Sequence, residues 1–459
     1  MQQTVSVSNK PRTALAVAGL SLGTALNPLN SSMIAVALVV LRADFGLDVA
    51  AVTWVVTSFY LASAAGQPVM GRLADRFGPR RMFMLGMALV AVTCALAPFA
   101  PNFALLCVAR AVMALGTATA YPSAVVMVGA IAHRANVEPA RPLGILQMAN
   151  TSAAAVGPVA GGLLVGFVGW EALFMVNVPL ALAALLIVRQ AAPADKAREH
   201  GSVAELLRDS DIPGILGFVT ALLLVMMAAL NVLPGYRWWM LGAGMAVAAL
   251  FAWRELRFAR PFLDLRLLGR NKPLMLIYLG FAVFSSVYYF VFFGLPQLLQ
   301  EAGGYEPGVV GLLMLPLAGM SVLATPWAVK AMGRFGVRRV LIAGVVLLTV
   351  AAALMWLLTG TLAIPLVVVL TALMGIPYGT VGIATNQGMF VSIRPQERGV
   401  AAGIYQTCRY VGAITATVMI GVFAGGGVDQ ESWARMVLAM LVLCVVTFAV
   451  SLLWRQRTP

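Results

Sequence analysis

Gly71-Arg72-Leu73-Ala74-Asp75-Arg76-Phe77-Gly78-Pro79-Arg80-Arg81 is a short basic interruption between two apolar runs, 51–71 and 81–100. Its second half returns as Arg334-Phe335-Gly336-Val337-Arg338-Arg339, between the runs 308–331 and 338–359. A charged turn repeated after the second long apolar run of each half points to a chain built from two related units. Gly71 is expected to permit close helix packing. Asp75 is placed to pair with a basic residue or meet a neighbouring helix N-terminus. Arg76, Arg80 and Arg81, around the Gly78 turn, can bond carbonyls or carboxylates on adjoining helices. In the second copy Gly333 stands where Asp75 stands, so that half is expected to latch less well.

Outward from this loop the chain is overwhelmingly apolar. Of 459 residues 61% are hydrophobic and 10% charged, and the mean hydropathy is +0.92. Soluble domains carry roughly a quarter charged residues. Fourteen apolar segments are counted: 13–40, 51–71, 81–100, 104–132, 143–167, 171–189, 212–231, 237–254, 274–298, 308–331, 338–359, 362–390, 400–424 and 433–453. A helical crossing needs ~20 such residues. The runs are continuous rather than alternating, which argues against a membrane β-barrel. The first run, preceded by Lys10 and Arg12, continues past a typical signal-peptide core and shows no convincing cleavage site, so it is read as a span. The fold class is therefore an all-α polytopic membrane protein. Soluble enzymes, disorder, a disulfide scaffold and a lone anchor are excluded.

The longest charged connector, 190–211, and a second, from Arg254 to Lys272, bracket the runs 212–231 and 237–254. Removing that block leaves six runs on each side. The expected organisation is an N-terminal six-helix bundle (1–190), a linker with two extra transmembrane helices (191–272) and a C-terminal six-helix bundle (273–459). Net charge is +14, from 31 Lys+Arg against 17 Asp+Glu. Basic residues crowd alternate connectors, including Arg72–Arg81, Lys196–Arg208, Arg254–Lys272, Lys330–Arg339 and Arg455–Arg457. Asp44, Asp48, Glu301, Glu306, Asp429 and Glu431 occupy the others. The asymmetry places both termini and the basic connectors in the cytoplasm. The surplus then reads as topology signal and inner-leaflet contact with the lipid bilayer, not as a nucleic-acid site. Cys94, Cys107, Cys408 and Cys444 lie in apolar runs without a CxxC pair, and His133 and His200 lie in connectors. No metal centre, nucleotide-binding loop or Ser/His/Asp set is visible. No cofactor and no enzymatic activity are expected.

The loop at 71–81 resembles the signature loop between spans 2 and 3 of the major facilitator superfamily. Arg110-Ala111-Val112-Met113-Ala114-Leu115-Gly116 resembles that family's fourth-span motif, with Met113 where glutamine is common. Gly157-Pro158-Val159-Ala160-Gly161-Gly162 resembles the fifth-span motif of the antiporter, mainly exporter, branches. Physically, Pro158 removes one helix hydrogen bond, and Gly157, Gly161 and Gly162 allow close backbone approach. Gly169-Trp170-Glu171-Ala172-Leu173-Phe174-Met175-Val176-Asn177-Val178-Pro179 is similar to the opening of span 6 in the 14-span drug/proton antiporters, with Ala172 at a usually basic position. The resemblance implies two six-helix bundles facing a central cavity, plus two inserted helices. It further implies rocking-bundle alternating access and export of small amphipathic compounds from a bacterial-type inner membrane, driven by protons. The gating set would be Gly71, Asp75, Arg76, Gly78, Arg80, Arg81, Gly157, Pro158, Gly161 and Gly162. Uptake or facilitated diffusion of a metabolite, and a non-transporting sensor or scaffold, are the alternatives. The fifth-span motif argues against the first, and the lack of an added soluble domain against the second.

One departure matters. Asn30 occupies a first-span position where that branch usually has aspartate, and an amide cannot carry a proton. All seventeen acidic residues lie in connectors or near span ends. Asp75, Glu171 or the substrate itself are left as proton carriers, alongside transport without proton coupling. The deepest charges are Arg110 and Arg409. Two deep cations without a deep anion favour a neutral or anionic amphipathic substrate, unless both are satisfied structurally. Asn30 and Arg110 are expected to lie close together, leaving the arginine un-neutralised. Tyr288 and Tyr289, beside Phe281 and Phe284 in span 7, are cavity candidates because a mid-span tyrosine needs a hydrogen-bond partner. Asn27, Asn30, Gln147, Asn150, Tyr378, Asn386, Gln387, Gln406 and Arg409 complete the substrate-binding candidates, each equally able to tie helix to helix. The protein is expected to act as a monomer.

Overall fold

The computed structural model describes residues 10–135, 140–195, 211–230, 232–233, 235–258, 261, 265–393 and 398–455. Hydrocarbon offers backbone amides no water, so each long apolar run closes its hydrogen bonds within a helix. The first half comprises α1 (Lys10–Asp44), the single turn α2 (Val49–Val52), α3 (Trp54–Phe77), α4 (Pro79–Leu96), α5 (Phe103–Ala118), α6 (Ala120–Ala135), α7 (Ala140–Phe167), the single turn α8 (Ala172–Met175) and α9 (Asn177–Ala191). The middle block contributes α10 (Ile212–Ala229), α11 (Arg237–Glu255) and the short α12 (Leu265–Arg270). The second half comprises α13 (Lys272–Glu301), α14 (Pro307–Phe335), α15 (Val337–Leu354), α16 (Ile364–Val391), α17 (Arg398–Ala424) and α18 (Gln430–Leu453).

Among the described residues, thirteen segments are long and apolar enough to cross a membrane, against the fourteen runs expected. The missing one is α11, which is helical as expected but carries Arg237, Arg254 and Glu255 at its ends. The run 104–132 is one continuous span built of α5 and α6, offset at Thr119, whose hydroxyl donates to the Gly116 carbonyl (2.8 Å).

Packing repeats between the halves. α1 lies along α7 as α13 lies along α17; α3 against α5 as α14 against α16; α4 against α9 as α15 against α18. α10 and α11 pack mainly on each other, and α10 touches α3 and α17. At one end of this pair the Arg254 guanidinium bridges two fully buried carboxylates, Asp211 at 2.5 Å and Glu255 at 3.3 Å. Asp429 caps α18 by accepting from the Ser432 amide (2.8 Å), which holds its carboxyl below the usual carboxylate range.

The sequence repeat has a structural counterpart. Gly78 (φ +98°, ψ 131°) and Gly336 (φ +84°, ψ 156°) make the same sharp corner, a region open essentially to glycine alone. One residue into the next helix, Arg80 donates to the carbonyl of Arg189 at the end of α9. Its counterpart Arg338 donates to the carbonyl of Leu452 at the end of α18 (2.8 Å). Each loop thereby staples the third long helix of its half to the last. The first copy adds a second tie: the Asp195 carboxylate accepts from the amides of Arg80 and Arg81, both at 3.0 Å.

That difference yields a prediction. Gly336→Ala meets open space and should cost only backbone strain, ~1–3 kcal/mol. Gly78→Ala would also drive its Cβ into the Asp195 carboxylate and should cost more. Thermal unfolding of the two variants in matched detergent checks this; equal losses would show that the Asp195 tie contributes nothing.

Candidate functional site

The end of the molecule carrying Asp44, Asp48, Glu301, Glu306 and Asp429 is termed the acidic end, and the opposite end, with the two arginine-rich loops, the basic end. Near the acidic end α7 touches helices of both halves. A Cβ on Gly157 would collide with Ser32 Oγ of α1. One on Gly161 would stand 2.6 Å from the Met33 carbonyl oxygen. One on Gly162 would strike the Pro307 carbonyl and lie 3.0 Å from Gly311 Cα, on α14 of the other half. Neighbouring glycines therefore let one helix touch backbone on two sides. Pro158 is buried within the same stretch, and its carbonyl oxygen lies 2.5 Å from where a Gly311 Cβ would be.

Further ties between the halves run from this end to mid-span. Arg42 forms an ion pair with Glu301 (2.8 Å), whose second oxygen accepts from the Val428 amide (2.8 Å). Gln300 donates to the Val36 carbonyl (2.9 Å). The Thr57 and Thr417 hydroxyls lie 3.2 Å apart, and Gln67 donates to the Tyr410 hydroxyl at 2.6 Å. Nearer the basic end, Gln147 on α7 is exposed, as are Val329 and Lys330 on α14. This set of contacts ties the two halves together at the acidic end.

At mid-membrane the ties give way to an aromatic cluster drawn from α3, α13, α16 and α17. Tyr60 packs its ring against Tyr289 (5.5 Å), Tyr410 (5.7 Å) and Phe293 (6.2 Å), joining the two halves. Tyr288 stacks on Tyr378 at 3.6 Å and 12°. Phe281 stacks on Tyr405 at 3.7 Å and 10°. The Tyr405 hydroxyl lies 2.9 Å from that of Thr385. Arg409 lies on α17 one turn beyond Tyr405 and next to Tyr410. Its Nε is buried with no hydrogen-bond partner. Arg409, Gln406 and Tyr378 are half-buried, whereas Tyr288 and Tyr289 are buried.

Other expected site residues sit elsewhere. Asn30 is 2% exposed and faces α9, where its amide and that of Asn177 exchange two hydrogen bonds (2.7 and 2.8 Å). It also donates to the Leu26 carbonyl (2.8 Å). Arg110, also 2% exposed, turns to α3: its Nε donates to the Val55 carbonyl (3.2 Å) and its guanidinium lies 4.6 Å from the Phe59 ring centroid. The expected Asn30–Arg110 pairing is thus replaced by separate partners. The amide pairs with another amide, whereas the Arg110 guanidinium takes one carbonyl and a ring face and keeps its Nη2 buried without a hydrogen-bond partner. Asn27 ties α1 to α5 through the Thr117 hydroxyl (2.9 Å). Gln147 and Asn150 lie on α7, and Asn386 and Gln387 lie eight and nine residues beyond Tyr378 on α16, all toward the basic end. In the signature loop Gly71 meets Pro122 at an ordinary 3.7 Å, so no close approach requires a glycine there. Arg72 donates to the Pro261 carbonyl (3.3 Å). Arg76 ends α3, Arg81 caps onto Asp195 through its amide, and the Asp75 side chain lies outside the described residues.

Tyr60, Gln67, Tyr405 and Tyr410 were not legible as site residues. A signal existed: Tyr60 and Gln67 are seven apart and share a face, and Gln406 and Tyr410 are four apart. The buried carboxylates Asp211 and Glu255 were read as connector residues because nothing local marks their shared arginine.

The Asn30–Asn177 pair carries a second prediction. Asn30→Asp loses both donated bonds and buries a carboxylate, so it should destabilise by at least ~1–3 kcal/mol. Asn30→Leu combined with Asn177→Leu should be much milder, because both partners go together. Thermal unfolding decides; a neutral Asn30→Asp would contradict the pairing.

Comparison with known proteins agrees with this architecture. A family model described as the Major Facilitator Superfamily matches residues 20–417. An uncharacterized MFS-type transporter of Bacillus subtilis, YwoD, is 34% identical over 436 residues, covering 95% of both chains. The tetracenomycin C resistance and export protein of Streptomyces glaucescens is 29% identical over 444 residues, covering 92% of this chain and 78% of that one. Among solved structures, a bacterial homologue of the human lysosomal transporter Spinster, inward-facing and unoccupied, aligns with a TM-score of 0.67 at 15% identity over 97% of each chain.

Proposed function

The chain belongs to the major facilitator superfamily, and we propose that it is a secondary active exporter of small amphipathic compounds in a bacterial inner membrane. That it is a multi-pass membrane transporter, not an enzyme, follows from the family itself. The observation that carries the export reading is the glycine-lined contact of α7 with both α1 and α14, which seals the acidic end. Reading the basic connectors as cytoplasmic, closure of the acidic end corresponds to an inward-facing state, from which an exporter would load. The resistance and export protein of Streptomyces glaucescens points the same way. In this reading residues 1–190 and 273–459 form the two rocking bundles. The pair α10–α11 in 191–272 completes a fourteen-span topology with both termini cytoplasmic.

The mechanism follows from the contacts. The Arg42–Glu301 pair and the Gln300 bond to Val36 must break for the acidic end to open. Loading from the basic end and release at the acidic end then require exchange of one set of ties for another. Asn30, locked to Asn177, offers no proton site. Proton coupling, if it operates, is assigned to a carboxylate outside span centres.

Everted membrane vesicles energised with a pH gradient test the proposal. They should accumulate amphipathic fluorescent compounds several-fold above vesicles lacking the protein, and Glu301→Gln, at matched expression, should alter the rate. Accumulation only in right-side-out vesicles would replace export by uptake.

A further inference from the structure

The second half carries a groove of about 850 Å³ between α14, α15 and α16. α15 packs against α14, α16 and α18, all of its own half, so the groove opens on the outer wall of that half and not between the halves. Its lining runs from Phe335 and Arg339, on either side of the Gly336 corner, to Met320 and Leu347 in mid-helix. Along α14 that is fifteen residues, ~22 Å, and along α15 eight residues, ~12 Å. The hydrocarbon of one leaflet is ~15 Å deep. The groove therefore reaches from the basic end to about mid-membrane, the depth of a single leaflet. Ala324, Ala328 and Ala343 keep it open, and Trp327, 74% exposed, stands along its side.

The basic end of the groove says what fills it. Arg339 lines it there, is exposed, and has no ion pair among the described residues. Lys330 and Arg334 are exposed on the last turns of α14. No Asp or Glu occurs from Pro307 to Val391, a stretch that contains all three helices of the groove. The other copy of the loop shows what such a corner accepts. The first amides of a helix have no partner within it, and in α4 those of Arg80 and Arg81 are taken by the Asp195 carboxylate, both at 3.0 Å. Among the described residues no side chain does this for Arg338 and Arg339, which hold the same places in α15. Where a Cβ on Gly78 would strike Asp195, one on Gly336 would meet nothing within 4 Å. Helix-start amides beside a guanidinium suit a phosphate, and the apolar groove leading away from them suits an acyl chain.

We propose that this groove holds one anionic phospholipid, with its acyl chain between α14 and α15 and its phosphate at the N-terminal amides of α15 and the Arg339 guanidinium. The lipid gives the second loop the counter-anion that Asp195 gives the first. The site requires that the helices span a bilayer and is independent of the direction or substrate of transport.

The test uses the purified full chain in mixed micelles and two lipids with brominated acyl chains, phosphatidylglycerol and phosphatidylcholine. Binding is read from quenching of tryptophan fluorescence, with thermal unfolding as a control for folding. In wild type, quenching by phosphatidylglycerol should saturate at a lipid fraction about fivefold lower than quenching by phosphatidylcholine. Arg339→Gln should remove that advantage. Arg270→Gln, which is exposed at the basic end on α12, should keep it. Trp327→Phe should lose part of the saturable quenching, which places the lipid in this groove. Ala343→Phe, which narrows the groove at an exposed position, should weaken both lipids and is read instead if Arg339→Gln does not fold. Millimolar inorganic phosphate should not displace the lipid, because it has no chain to fill the groove. Equal saturation by the two lipids in wild type, an advantage that survives Arg339→Gln or is lost equally in Arg270→Gln, or quenching indifferent to both Trp327 and Ala343 would overturn the site. Displacement by inorganic phosphate would replace it with a simple anion site.

Discussion

The rest of the structure depends on the backbone-to-backbone approach of α7 to two other helices at once. Gly161 rests on the Met33 backbone of α1, and the adjacent Gly162 rests on Gly311 of α14. A side chain at either position would push its partner away by the width of a methyl group or more. Dispersion and geometry dominate such contacts in a membrane, because lipid tails are as apolar as the helices they replace. The contact holds α1 in its own half and α14 in the other. Everything on the acidic side of the molecule follows from that spacing, including the reach of Arg42 to Glu301 and of Gln300 to Val36.

Below this seal the energetics change from apolar packing to polar groups that need partners. The chain solves the problem in two ways. Asn30 and Asn177 satisfy each other, as do Asn27 and Thr117, and these ties stay inside the first half. The cluster of Tyr60, Gln67, Tyr289 and Tyr410 instead spans both halves. Polar contacts between moving parts are weak enough to exchange and directional enough to define two end states.

The sequence was most legible where physics leaves little choice. Long apolar runs had to be helices, and the repeated Arg-Phe-Gly-x-Arg-Arg turn had to serve the same corner twice. Gly78 and Gly336 do adopt matching backbone angles, and Arg80 and Arg338 do donate to matching carbonyls. Side-chain partners were far less legible. Asn30 and Arg110 were placed together from the family resemblance, but Asn30 bonds Asn177 on α9 and Arg110 the Val55 carbonyl on α3. Span-by-span reading also could not see that Tyr60 of the first half completes an aromatic cluster of the second. Nor could it see that Asp211 and Glu255, forty-four residues apart, share Arg254.

The central claim is that closure at the acidic end alternates with closure at the basic end around the mid-membrane aromatic cluster. Spin-label distances test it directly in the full chain, with Gly144→Cys and Lys330→Cys across the basic ends of α7 and α14, and Val168→Cys and Leu312→Cys across the acidic ends. All four positions are exposed. The account predicts that conditions favouring turnover shorten the first distance while lengthening the second. Two distances that stay fixed, or that lengthen together, would contradict it.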